Sequence, residues 1–183
     1  EDSRFSVTIT EWQRTFSSAP DDEPFWFPYF NKFIIPIDNI SSSGLDLPVL
    51  RLADMVLLYS EALYQLGDQE TALAQLNSIR ERAFGDSDHN YTLVDIATPE
   101  LFMDKLLLER RLELAVENNR WFDLVRTGRF TTALTQLESE YNPSTEQAVI
   151  QNLNAQAYMK YFPIPYEQIQ LAAPGVMEQN DGY

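Results

Sequence analysis

Between Leu50 and Gly85 the sequence carries two helical patterns separated by a glycine and a capping aspartate, and this pairing limits what the chain can become. Ala53, Val56, Leu57, Leu63 and Leu66 recur at helical spacing behind Pro48, which suits a first turn, and the pattern stops at Gly67. Asp68 then opens a second pattern whose apolar face is Ala72, Leu76, Ile79 and Ala83, closed by Gly85. Small residues at Ala62, Gly67 and Ala72 let the two helices approach closely. The expectation is an antiparallel helical hairpin.

A second, divergent hairpin follows. Thr98 and Pro99 supply a cap and first turn, Leu101, Leu108, Leu112 and Ala115 form an apolar stripe, and Asn118-Asn119 interrupts the pattern because asparagine tolerates the left-handed conformation. The segment "RWFDLVRTG" is a short fourth helix closed by Gly128. The turn in "ALYQLGDQETALAQL" resembles that of a tetratricopeptide repeat. Two such pairs do not bury a continuous core, since repeat stacks generally need at least three units, so other segments must cover them.

The flanking sequence is of another kind. "FSVTIT", Phe5 to Thr10, alternates with period two and predicts a short strand. The next stretch, Ser17 to Pro48, holds five prolines and predicts an irregular excursion rich in aromatic residues. "TTALTQLESEY" has a weak helical pattern, and Asn142 to Tyr158 receives no assignment. Pro163 and Pro165 fix an extended tail in which "YEQIQL" makes one helical turn. The expected fold is mainly α: tetratricopeptide-like hairpins with long irregular loops and little β. It forms one domain over residues 1–183, with a strand and aromatic excursion at 1–49, helix pairs at 50–130 and an irregular tail at 131–183.

Composition removes several classes of function. With 28 acidic against 13 basic residues the net charge is -15, which repels a nucleic-acid backbone. The absence of cysteine excludes disulfides, thiol nucleophiles and thiolate metal sites. One histidine, His89, builds no common zinc site. Asp86, Asp88 and Asn90 imitate a calcium loop, but Tyr91 and Ala97 stand where glycine and glutamate are needed. No metal or cofactor is expected. No apolar run reaches the ~20 residues of a bilayer span, and Glu1-Asp2-Ser3-Arg4 is unlike a signal peptide, so any targeting segment is expected upstream.

Two constellations remain. In "LLERRLELAVENNRWFDLVRTG", Glu109, Glu113 and Glu117 stand four residues apart on one helix face. Paired carboxylates suit glycoside hydrolysis, but Arg110 and Arg120 lie three residues from Glu113 and Glu117, and guanidinium groups lower carboxylate pKa values instead of raising one to make an acid. The favoured expectation is a structural ion network, Glu109, Arg110, Glu113, Glu117 and Arg120, that docks the hairpins while Trp121 and Phe122 fill the gap. The second constellation is "EPFWFPYF" with Trp12 upstream. Most of its aromatics are expected to roof the helices, with Trp12, Trp26 and Tyr29 as candidates for stacking on a ligand.

Together "RLADMVLLYSEALYQLG", "LNSIRERA", "LLLERRLELAVENNRWFDLVRTG" and "FPIPYEQI...EQNDGY" resemble, in order, the C-terminal region of SusD/RagB-type nutrient-binding lipoproteins. Asn118 stands where that family usually has glycine, Asp181 where the closing Q-N-P-G-Y has proline, and Ala173 where asparagine is common. The resemblance implies a non-enzymatic protein at the bacterial outer-membrane surface, held by an N-terminal lipid anchor that is not in this chain. It would capture oligosaccharide or another nutrient for a SusC-like TonB-dependent transporter. It also implies that about half of the family fold lies outside this sequence. A helical-repeat interaction module and a carboxylate-based glycoside hydrolase are the alternatives. Family ligand sites sit on variable loops, so no binding residue transfers by motif.

Overall fold

The structure is a computed structural model that describes residues 2–14, 25–33, 46, 48–134, 136–142, 147–152 and 154–183. It divides into two compact units, Glu1–Arg120 and Trp121–Tyr183. The first begins with helix α1, Ser3–Thr8, followed by strands β1, Ile9–Arg14, and β2, Phe25–Phe30. Helices α2, Leu52–Gln65, α3, Gln69–Phe84, and α4, Pro99–Glu113, make its body. Helix α5, Arg120–Arg126, crosses the boundary. The second unit holds α6, Phe130–Ala133, strands β3, Gln136–Asn142, and β4, Gln147–Asn152, and α7, Tyr166–Leu171.

The α2–α3 hairpin forms where its punctuation lies. Gly67 adopts φ 88°, Asp68 accepts a hydrogen bond from the Thr71 amide, and Gly85 closes α3 at φ 79°. The pair packs closely at Ser60, whose hydroxyl donates to the Ala72 carbonyl at 2.7 Å, both residues being fully buried. The start of α2 differs from expectation. Arg51 occupies the cap position and Pro48 lies outside the helix, because an extended Arg51 carries its side chain to the end of α4. Leu66 is 83% exposed, since α2 has ended before its turn of the pattern arrives.

The core of the first unit joins Leu57, Tyr64, Leu76, Ile79, Ile96, Phe102 and Leu106. Tyr64 stacks on Phe102 with ring centroids 3.9 Å apart, and its hydroxyl donates to the Ile96 carbonyl. Burial pushes the Tyr64 phenol above its ordinary pKa. The loop after α3 is tied back by Asn77, which donates to the Tyr91 carbonyl and accepts from the Tyr91 amide, both at 2.9 Å.

Four expectations are corrected. "FSVTIT" is mostly helix, not strand: Asp2 caps it by accepting from the Arg4 amide, and the following residues, Ile9–Arg14, pair with Phe25–Phe30 in an antiparallel hairpin. The proline-rich excursion therefore contains a strand, in which Pro28 lies opposite Glu11. "TTALTQLESEY" is helical only to Ala133, and its remainder pairs with part of the unassigned stretch as β3–β4. Finally, the stripe Leu101, Leu108 and Leu112 is the outward side of α4, each residue being about two-fifths exposed. The inward side presents Phe102, Leu106, Glu109, Arg110 and Glu113.

In the second unit the tail fastens to itself. Gln179 accepts from the Ile164 amide at 2.8 Å and donates to the Ile164 carbonyl at 2.9 Å, replacing a strand partner, and Asn180 donates to the Phe162 carbonyl. Gly182 lies against the Tyr158 ring so closely that an added Cβ would come within 2.4 Å of it. These contacts explain the closing Gln-Asn and Gly-Tyr letters without requiring proline at Asp181. Trp121 stacks on Phe162 at 5.4 Å and meets Phe130 edge-on at 4.8 Å, so Trp121 serves this unit's interior.

Candidate functional site

The charges of α4 gather partners from distant parts of the chain. Glu109, fully buried, receives Arg4 Nη1 on Oε1 at 2.5 Å and Arg80 Nη1 on Oε2 at 2.8 Å. Glu113 receives Arg51 Nη1 at 2.6 Å, Arg82 Nη2 at 2.5 Å and Arg4 Nη1 at 3.5 Å. Glu117 receives Arg51 Nε at 2.8 Å and pairs with Lys32. Arg110 Nη2 sits 2.8 Å from Asp54 Oδ1 as an ion pair, and Arg120 donates to the Leu107 carbonyl at 3.2 Å. Sequence spacing pointed to Arg110 with Glu113 and Arg120 with Glu117. The structure instead brings Arg4, Lys32, Arg51, Arg80 and Arg82 to the three glutamates.

These cations also complete the helix end. Lys32 Nζ donates to the carbonyls of Glu113 and Ala115, and Arg51 Nη2 donates to the Glu113 carbonyl, satisfying acceptors left over where α4 stops. Beyond that point Val116 and Asn118 take φ 68° and 61°. Asparagine tolerates this geometry, but glycine pays less for it. Replacing Asn118 by glycine is expected to raise stability by up to about 1 kcal/mol. Denaturant titration of both chains checks the sign.

Arg80 joins the loop to this network. It donates to the His89 carbonyl at 2.8 and 2.6 Å, and its guanidinium lies 3.9 Å from the Tyr91 ring centroid. His89 thus enters through its backbone. Among the described residues no group of three His, Cys, Asp or Glu side chains could hold a metal ion.

Burial alone pushes the Glu113 carboxyl up, but the hydrogen bond from Arg51 and the charges of Arg82, Arg51 and Arg4 outweigh it and leave the group below its ordinary value. Glu117 is likewise held down by Arg51 and Lys32 against its burial. Asp2 is lowered by the hydrogen bond from Arg4. Carboxylates held this firmly ionised are poor proton donors at neutral pH. Their linkage to folding has a definite sign. The unfolded chain takes up protons near the ordinary glutamate value of 4.5 while the folded chain does not, so stability rises with pH through that interval. Stability conferred by these groups is present above that value and is lost as pH falls through the lowered folded values. Thermal unfolding followed from about pH 6 to about pH 3 should show a steep fall below the ordinary carboxylate range. A level profile would contradict the pairing.

The aromatic candidates lie on the β1–β2 hairpin. Trp12 is opposite Phe27, Trp26 opposite Gln13 and Tyr29 opposite Thr10. As backbone positions, Trp12 and Tyr29 are two rungs apart and so on one side of the ladder, while Trp26 is one rung beyond Trp12 and on the other. The hairpin does not bring all three to one face. Tyr29 is 39% exposed; the side chains of Trp12 and Trp26 lie outside the described residues. The hairpin base is held firmly: Asn31 donates its amide to the Thr8 carbonyl at 2.8 Å, and the adjacent Lys32 reaches the end of α4. The ion network therefore ties the base of the hairpin, at Lys32, to the end of α4. Sequence spacing missed Arg4 and Lys32 because both belong to segments more than 80 residues from their carbonyl or carboxylate partners.

Residues 4–183 match the model of the SusD family. SusD-like protein P25 of Formosa agariphila is 30% identical over 164 residues, covering 86% of this chain and 29% of the relative. The starch-binding protein SusD of Bacteroides thetaiotaomicron is 29% identical over 149 residues, covering 81% of this chain and 23% of the relative. In fold, the chain superimposes on surface glycan-binding protein A from Bacteroides thetaiotaomicron with a TM-score of 0.65 at 24% identity, covering 98% of this chain and 38% of that one. The chain spans less than a third of the length of these curated relatives.

Proposed function

From its membership of the SusD family, to which this chain belongs, we propose that it takes part in non-enzymatic capture of glycan at the outer-membrane surface and in delivery to a SusC-like TonB-dependent transporter. The observation that carries this reading is the family match over residues 4–183, alongside a relative whose name is starch-binding protein. The geometry supports it. The carboxylates that spacing offered to hydrolysis are neutralised by arginines and lysine, and Lys32, next to the base of the aromatic hairpin, is one of those cations. Trp12, Trp26 and Tyr29 are proposed to stack on sugar rings, with Tyr29 and Trp12 acting together. No helix among the described residues is long and apolar enough to cross a membrane. Surface attachment through a lipid anchor is proposed from the family membership alone.

Calorimetric titration against a panel of neutral oligosaccharides tests capture. Binding that weakens in Trp12→Ala and Tyr29→Ala supports the reading, and a panel without any ligand rejects it. Retention of a TonB-dependent transporter by the immobilised chain tests the delivery half. The Glu109, Glu113 and Glu117 network is proposed to be structural, so glycan affinity should survive Glu117→Gln while the melting temperature drops.

A further inference from the structure

The C-terminal part of α4 and the short helix α1 enclose a cleft of about 360 Å³. Phe5, Ile9, Leu112 and Ala115 give it apolar walls, and Thr8 and Arg111 add polar groups. Its volume is at the small end of the range of ligand pockets, about 300 to 1,000 Å³. Phe5 is 65% exposed, which leaves most of a ring open to an incoming molecule.

The charges of the cleft are unequally engaged. Asp2 and Arg4 also border it, but Arg4 grips the Asp2 carboxylate through Nε at 2.9 Å and Nη2 at 2.6 Å, and its Nη1 goes to Glu109. Arg111 has no ion pair or hydrogen bond to the described residues. In a chain with 28 acidic and 13 basic residues, a guanidinium without a carboxylate is conspicuous, and its immediate neighbour Arg110 is paired with Asp54. Thr8, 7% exposed, likewise makes no side-chain hydrogen bond to the described residues. An open aromatic ring, an unmatched guanidinium and an unspent hydroxyl thus converge on one hollow.

We propose that this cleft binds an anionic sugar unit, one carrying a carboxylate or a sulfate ester. The inference rests on the reading of glycan capture and adds the chemical class of the glycan. The C–H face of a sugar ring lies against Phe5, Thr8 serves a ring hydroxyl, and the fork of Arg111 takes two oxygens of the acidic group. Both acidic groups offer paired oxygens to a planar guanidinium, and separate probes tell them apart.

The full chain is titrated with three probes of equal length and linkage: a glucuronate-bearing oligosaccharide, a sulfated one and the uncharged parent. At least one charged probe should bind about tenfold or more tightly than the parent, the factor expected of a charge-assisted hydrogen bond. Arg111→Ala should abolish that preference, and Phe5→Ala should weaken every probe. Added salt should narrow the gap between charged and uncharged probes. Arg111 is exposed and unmatched, so its replacement leaves the fold intact, and the unfolding curve verifies this. A preference that survives Arg111→Ala, or a parent that binds as tightly as both charged probes, overturns the assignment while leaving glycan capture in place. Failure of all three probes together with the neutral panel overturns both.

Discussion

Replacing Glu109 by alanine should unfold the first unit more readily than any other single charge removal, at a cost of about 3 to 5 kcal/mol. The carboxylate is fully buried and receives Arg4 from α1 and Arg80 from α3. Its loss leaves the Arg80 guanidinium with little solvent access and without its carboxylate, while Arg4 keeps Asp2 and Glu113, and an uncompensated buried charge is far more expensive than a missing contact. A loss of this size lowers the melting temperature by on the order of 10 °C for a chain of this length. Glu109→Gln should cost less, since the amide keeps the volume and one acceptor oxygen. Glu70→Gln, at an exposed position in the first turn of α3, is the control and should stay within about 0.5 kcal/mol. A Glu109→Ala chain as stable as this control would show that the network contributes nothing to folding.

Phe102→Ala should cost about 3 to 5 kcal/mol as well, for an unrelated reason. The ring is fully buried and stacked on Tyr64, and its removal opens a cavity among Leu57, Ile96 and Leu106. Leu101→Ala, one residue earlier, should cost less than about 1 kcal/mol because Leu101 is 42% exposed. Urea titration of the two variants side by side decides which face of α4 is inside. Equal costs would return the helix to the apolar stripe that spacing alone suggests, Leu101, Leu108 and Leu112.

That contrast locates the limit of sequence reasoning in this chain. Hydrophobic spacing assumes that the buried face of a helix is its apolar face. In α4 the buried face contains Glu109, Arg110 and Glu113, which are tolerable inside only because counter-charges arrive from α1, α2 and α3. The period was legible and the direction was not. The same cause misdirected the ion pairs, since residues three apart on a helix are the partners a sequence displays, whereas Glu109 meets a residue 105 positions away.

Where structure is decided by a residue and its immediate neighbours, the letters were sufficient. Asp68 and Thr98 cap helices because a short side-chain oxygen reaches an amide three residues on, and Gly67, Gly85 and Gly128 end them because positive φ is easily reached without a Cβ. Family membership, too, follows from letters in order along the chain. Tertiary structure alone decided that "FSVTIT" coils, with Arg4 drawn to Glu109, and that the proline-rich stretch returns as a strand beside Ile9–Arg14. It alone left Arg111 without a partner among the described residues, beside an open ring. Short segments have nearly balanced local preferences, so long-range charge pairing and strand pairing settle them, and those forces depend on residues that only folding brings together.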